Sequence, residues 1–82
     1  MRRWQSHKVV EAEKIARVEF LSHNDACILH FEDGTEPPKH VPDSYAEKHH
    51  PKAGGYYVKY ADGYESFSQA DAFETGYTEI PS

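Results

Sequence analysis

The chain has a single cysteine, Cys27, so no disulfide can form within it, and the expected compartment is the reducing one, the cytoplasm of a host cell. It has no apolar run approaching the ~20 residues of a membrane span, so no membrane partner is expected. Arg2 and Arg3 are basic, but no apolar stretch follows them, and no signal peptide is expected. Cys-x-x-Cys, Gly-x-Ser-x-Gly, a phosphate loop and a dinucleotide glycine pattern are all missing; Gly54-Gly55 reads as a loop. What is present is one domain, residues 1–82, with 38% hydrophobic residues but 13% aromatics. That aromatic content argues against disorder. A domain this short buries only about 60% of its unfolded surface, so its core is marginal and a homo-oligomer is expected.

Basic residues are missing from the last quarter. Residues 1–60 hold nine basic and nine acidic residues, whereas residues 61–82 hold Asp62, Glu65, Asp71, Glu74 and Glu79 and no cation. The whole net charge of −5 therefore sits there. A solvated acidic helix face is one reading, and a surface that meets a basic partner is the other. The acidic balance argues against duplex DNA as a partner. Aromatics crowd the same region: Tyr56, Tyr57, Tyr60, Tyr64, Phe67, Phe73 and Tyr77. Most must be core, and a surplus at the surface would mark an interface or a stacking site.

The pattern along the chain predicts an α+β fold: a small twisted antiparallel sheet of four to five strands, with two Asp-Gly hairpins and two short helices. Residues 8–21 are rich in Val, Ile and Phe and read as a strand with a bulge near residues 13–15, or as two short strands. A helix over residues 10–20 is the rival. Ser22-His23-Asn24-Asp25 reads as a turn, and residues 26–31 as the next strand. Asp33-Gly34 predicts a hairpin whose return strand, broken by Pro37-Pro38, is an edge or irregular. Asp43 is the expected N-cap of a helix that stops before Pro51. Tyr56, Val58 and Tyr60 share one face of the clearest strand, and Asp62-Gly63 turns it back over residues 64–67. Ser68 is the expected cap of the last helix, with Asp71 in a near capping box and Gly76 as its terminator. The two units, Leu29 to Glu36 and Val58 to Glu65, echo one another weakly.

Little of this is catalytic chemistry. Six histidines invite a metal reading, but no pair has helical i,i+4 spacing, so no metal site and no cofactor is expected. They do carry the net charge from −5 toward about +1 below about pH 6. His49 and His50 stand at a helix end, where partial negative charge favours imidazolium. Cys27 lies in an apolar run and reads as an inert small hydrophobe rather than a nucleophile. Glu11 and Glu13 read as the solvent side of the first long strand. The protein is therefore expected not to be an enzyme. The start, Trp4-Gln5-Ser6-His7-Lys8 with Arg2 and Arg3, has two readings. It is either a frayed segment over residues 1–6 with Trp4 tucked onto the sheet, or a cation cluster that holds a phosphate while a tyrosine stacks a base.

Two stretches resemble short accessory proteins of tailed phages and prophages. One is Ser6-His7-Lys8-Val9-Val10-x-Ala12-x-x-Ile15; the other runs from Gly55-Tyr56-x-Val58-x-Tyr60-x-Asp62-Gly63-Tyr64-x-Ser66-x-Ser68 through Ala72-Phe73-Glu74-x-Gly76-Tyr77-Thr78. Gln69 departs from the Pro usual after that serine. The resemblance implies a phage-encoded, non-enzymatic protein that counters host immunity. One mechanism is an oligomeric sponge for a cyclic-nucleotide or cyclic ADP-ribose signal, with Tyr56, Tyr57, Lys59, Tyr64, His7 and Lys8 as its ligand residues. The other is an inhibitor of a host nuclease or defence effector, contacting it through Asp71, Glu74 and Tyr77. A structural or assembly role with no ligand is the third.

Overall fold

The length of one strand organises the molecule. In the computed structural model, which describes residues 1–21 and 26–81, the second strand runs unbroken over Val9–Phe20. At ~3.3 Å per residue twelve residues span roughly 40 Å, and the longest dimension of the molecule is 39 Å. The elements are β1 (Arg2–Gln5), β2 (Val9–Phe20), β3 (Cys27–Phe31), β4 (Lys39–Val41), α1 (Asp43–His49), β5 (Tyr56–Lys59), β6 (Glu65–Ser68), α2 (Ala70–Gly76) and β7 (Thr78–Ile80). The fold is α+β, with seven antiparallel strands among the described residues rather than four to five. The helical alternative for residues 10–20 falls away. The turn expected at 22–25 lies outside the described residues.

β2 belongs to two half-sheets. Its first half pairs with β1, Arg2 opposite Ala12, and with β5, Lys14 opposite Tyr56. Its second half pairs with β3, which carries β4 as an edge. The register shifts between Ile15 and Arg17, slightly beyond the expected bulge. Val10 and Ala12 face one core and Ile15 the other, as alternation requires, and the shift turns Val18 to the same side as Ile15. β6 extends the sheet from β5, and β7 extends it from β1.

Two hydrophobic cores result. Ile15, Cys27, Leu29, Phe31, Val41 and Tyr57 pack with Tyr45 and Ala46 of α1. Val10, Ala12, Tyr56 and Val58 pack with Phe73 of α2. Successive residues of a strand point to opposite faces, so Tyr56 and Tyr57 separate the cores and the helices lie on opposite sides of the sheet. Tyr56, Val58 and Tyr60 share a face as the alternation predicts. Cys27 is buried and free, and burial pushes its thiol pKa up.

Several local expectations are corrected. The start is not frayed: Arg2–Gln5 forms β1, tied by the Trp4 indole N–H donating to the Ala12 carbonyl at 3.2 Å. Asp33-Gly34 does not form a two-residue hairpin. Gly34 keeps a negative φ, and Asp33 instead accepts the Thr35 N–H at 2.9 Å within a longer connection to Lys39. Neither helix has the expected side-chain cap. Pro42 and Gln69 occupy the cap positions, while Asp43 and Asp71 accept the N–H of Ser44 and Ala72. Ser68 is the last residue of β6. Gly76 stays inside α2, which ends on an extended Tyr77; α1 ends on the left-handed His50, φ 49°. Glu13 is not on the solvent side. It is 2% exposed and takes both the Arg2 backbone N–H at 2.7 Å and the Arg2 guanidinium at 2.9 Å.

Candidate functional site

The second Asp-Gly pair does turn the chain. Gly63 sits at φ 93°, a conformation that suits glycine. Tyr60 N–H donates to the Tyr64 carbonyl at 2.9 Å, and Tyr64 N–H donates to the Asp62 carboxylate at 2.9 Å. The closure sets Tyr60 and Tyr64 side by side, with ring centroids 5.9 Å apart. Tyr60 leans on the α2-side core, while Tyr64 is 45% exposed.

Cations gather on these two rings from separate parts of the chain. Lys8, just before β2, places its ammonium 4.5 Å from the Tyr60 centroid. Lys48, from the last turn of α1, stands 5.2 Å from the Tyr64 centroid. His49 meets Tyr64 edge-on at 6.0 Å, with Nε2 3.5 Å from its hydroxyl. Each contact is a cation–π or edge contact of about 0.5–1 kcal/mol at an exposed site. Lys14 and Lys39 are neutralised by Glu74 and Glu65. Lys8 and Lys48 make no ion pair among the described residues. Their charge is thus free for an anion.

Two recesses open beside the turn. One, of about 490 Å³, is lined by Lys8, Val9, Tyr60, Ala61, Asp62 and Tyr64. The other, of about 580 Å³, shares Val9, Tyr60, Ala61 and Asp62 and adds Lys59 and Glu11. Both are open to solvent, and the exposed Val9 lies between them. Burial, and then the Lys48 charge, hold the His49 pKa below its ordinary value. The helix-end reading, which favoured imidazolium, is therefore reversed for His49: the ring packs against Tyr45 at 4.7 Å, and desolvation outweighs the helix end.

Of the six expected ligand residues, the structure brings Lys8, Lys59 and Tyr64 to this rim. Tyr56 and Tyr57 are 5% and 1% exposed, one in each core, and present no ring face to a ligand. Tyr56 donates to Glu74 at 2.7 Å and Tyr57 donates to Glu65. Those contacts, after burial, raise both phenol pKa values. His7 is exposed beside Lys8 and meets Ser6 Oγ at 3.3 Å, outside both recesses. The sequence reading missed Tyr60, Lys48 and His49. Tyr60 carried a signal, standing opposite Tyr64 across Asp62-Gly63; the approach of α1 to that turn carried none.

The expected protein-contact residues are less free than their charges suggest. Glu74 holds both the Tyr56 hydroxyl and Lys14, at 3.6 Å. Tyr77 is half-buried and stacks on Phe73 at 4.6 Å. Asp71 is exposed, accepts the Ala72 N–H and makes no ion pair among the described residues.

A further recess of about 510 Å³ is lined by Arg2, Trp4, Glu13, Lys14, Glu32, Asp33 and Glu79 among others. Its cations are already paired, because Arg2 bridges Glu13, Asp33 and Glu79 and Lys14 meets Glu74. No grouping of three metal-ligating side chains occurs among the described residues. No helix among them is long and apolar enough to cross a membrane. No protein-family profile, curated protein or solved structure matches the chain.

Proposed function

We propose that the protein is a phage accessory protein that binds a small anionic ligand carrying an aromatic base. The ligand class is a cyclic nucleotide or cyclic ADP-ribose type signal, and sequestering it counters host immunity. The observation that supports this is the Tyr60–Tyr64 pair with Lys8, Lys48 and His49 around it. A base stacks on the exposed part of the Tyr64 ring, worth about 1–3 kcal/mol per base. The ammonium groups of Lys8 and Lys48 then lie where the phosphates of a stacked nucleotide reach. Asp62 points one carboxylate oxygen at the turn and leaves the other for a ribose hydroxyl or exocyclic amine. The reading is stoichiometric binding rather than turnover.

The test is thermal unfolding against cyclic dinucleotides, cyclic trinucleotides and cyclic ADP-ribose isomers. A ligand at 100 times its dissociation constant adds about 2.7 kcal/mol, which in a domain this small is a shift on the order of 10–20 °C. One class is expected to give such a shift, and Lys8→Ala and Tyr64→Ala, each compared with its own ligand-free unfolding temperature, are expected to abolish it. No shift with any class contradicts the proposal.

A further inference from the structure

A different recess, of about 600 Å³, lies at the far end of β2 against the end of α1. It is lined by Arg17, Val18 and Phe20 from the strand, Ala46 and His50 from the helix and its cap, and Pro51, Lys52 and Ala53. Its floor is apolar. Its rim carries Arg17, Lys52 and His50, and no carboxylate lines it among the described residues. The recesses described above each include at least one carboxylate. Phe20 is 65% exposed, the most exposed large apolar side chain among the described residues. Arg17 has only a loose contact with Glu19, at 3.9 Å, so its charge is largely unspent.

The complementary surface is on the same chain. Of the five carboxylates in residues 61–82, Glu65, Glu74 and Glu79 pair with Lys39, Lys14 and Arg2, so the charge that α2 offers a partner is carried by Asp71. On α2 the exposed positions include Asp71, Ala72, Thr75 and Gly76. Ala72 and Gly76 are four apart and share one helix face, where their small size leaves room for an aromatic ring. Asp71 stands beside them as a free negative charge.

We infer that this basic, apolar recess docks a second copy of the protein, head to tail, by receiving the acidic exposed face of α2. Two recesses cannot face one another, because Arg17 and Lys52 would oppose their own copies. The contact is therefore between unlike surfaces, and in a head-to-tail pair one recess and one helix stay free. A stable interface takes roughly 800 Å² from each partner. This patch is smaller, so the association is weak and reversible, and it weakens further as salt screens exposed charges.

The experiment is sedimentation velocity across a concentration series reaching ~0.5 mM, at ~50 mM and ~500 mM salt. Wild type is expected to associate with concentration, and less at high salt. Arg17→Glu/Lys52→Glu and Asp71→Lys/Thr75→Lys are each expected to sediment as 9.4 kDa monomers. Their equimolar mixture is expected to regain association, because each supplies the surface the other has lost. A wild type that stays monomeric throughout overturns the inference. So does association retained by either variant alone, or a mixture that stays monomeric. Circular dichroism checks each fold. Where a double variant unfolds, Phe20→Ser and Ala72→Arg replace the two and are read the same way.

Discussion

Gly55 shows how one side chain's absence fixes a contact. A Cβ there would stand 2.3 Å from the Phe67 ring and 2.9 Å from the Ser68 carbonyl oxygen. The ring can swing aside, but the backbone oxygen cannot, because β5 and β6 are paired at Tyr56 and Ser68. Gly55→Ala is expected to destabilise the domain by about 2 kcal/mol, seen as a fall of roughly 10 °C in Tm. At His49 the expected effect is on pH dependence. Its folded pKa is lowered, by burial first and Lys48 second. The unfolded chain therefore binds the proton more readily. The contribution of neutral His49 is complete above its ordinary pKa of about 6.5 and drains away as pH falls through the lowered folded value. His49→Gln is expected to flatten the loss of Tm between about pH 7 and pH 5. Asp33, held low by Thr35, behaves likewise in a more acidic window. Glu65 does too: burial pushes its pKa up, but the Tyr57 hydroxyl and Lys39 outweigh that. At this scale the sequence was partly legible. Lys8, Lys59 and Tyr64 reach one rim, whereas Tyr56 and Tyr57 look the same in a string of letters and are taken by the cores.

Among the elements, β1 departs furthest from the sequence reading. Arg-Arg-Trp-Gln looks like a frayed start because its order comes from elsewhere. Trp4 packs edge-on against Tyr56 and Phe73, at 5.5 and 5.0 Å, and Arg2 closes over the buried Glu13. Both partners are distant in sequence, so no local pattern announces them. The dependence is testable. Arg2→Ala leaves Glu13 with a single backbone donor and is expected to lower stability by about 1–3 kcal/mol, half-exposed as Arg2 is. Adding Glu13→Gln is expected to recover part of that loss in urea unfolding, and an additive double loss would show that Arg2 does not act through Glu13. The Asp-Gly pairs teach the opposite lesson. Asp62-Gly63 turns a hairpin as its letters predict, with Gly63 at positive φ. Asp33-Gly34 has the same letters, but the following Pro37-Pro38 keeps the return strand from starting before Lys39.

For the whole molecule, α+β class, antiparallel pairing and two short helices were readable from periodicity and turn residues. The strand count was not, because β1 and β7 are four and three residues long and are held by pairing rather than by their own pattern. The two-core arrangement also depends on β2 running through both half-sheets, with a register shift that reassigns its faces. That arrangement is what carries the end of α1 to the β5–β6 turn and completes the aromatic and cationic rim. The central claim is that this rim takes the base and phosphates of a nucleotide-type signal. The most direct measurement is an amide nitrogen–proton NMR titration of the pure protein with the cyclic nucleotide and cyclic ADP-ribose panel. The account predicts saturable shifts concentrated at Lys8, Val9, Lys48, His49 and residues 60–64, with Cys27 and Leu29 in the other core unmoved. Shifts centred on Arg17, Phe20 and Lys52 instead, or no shifts with any ligand, would contradict it.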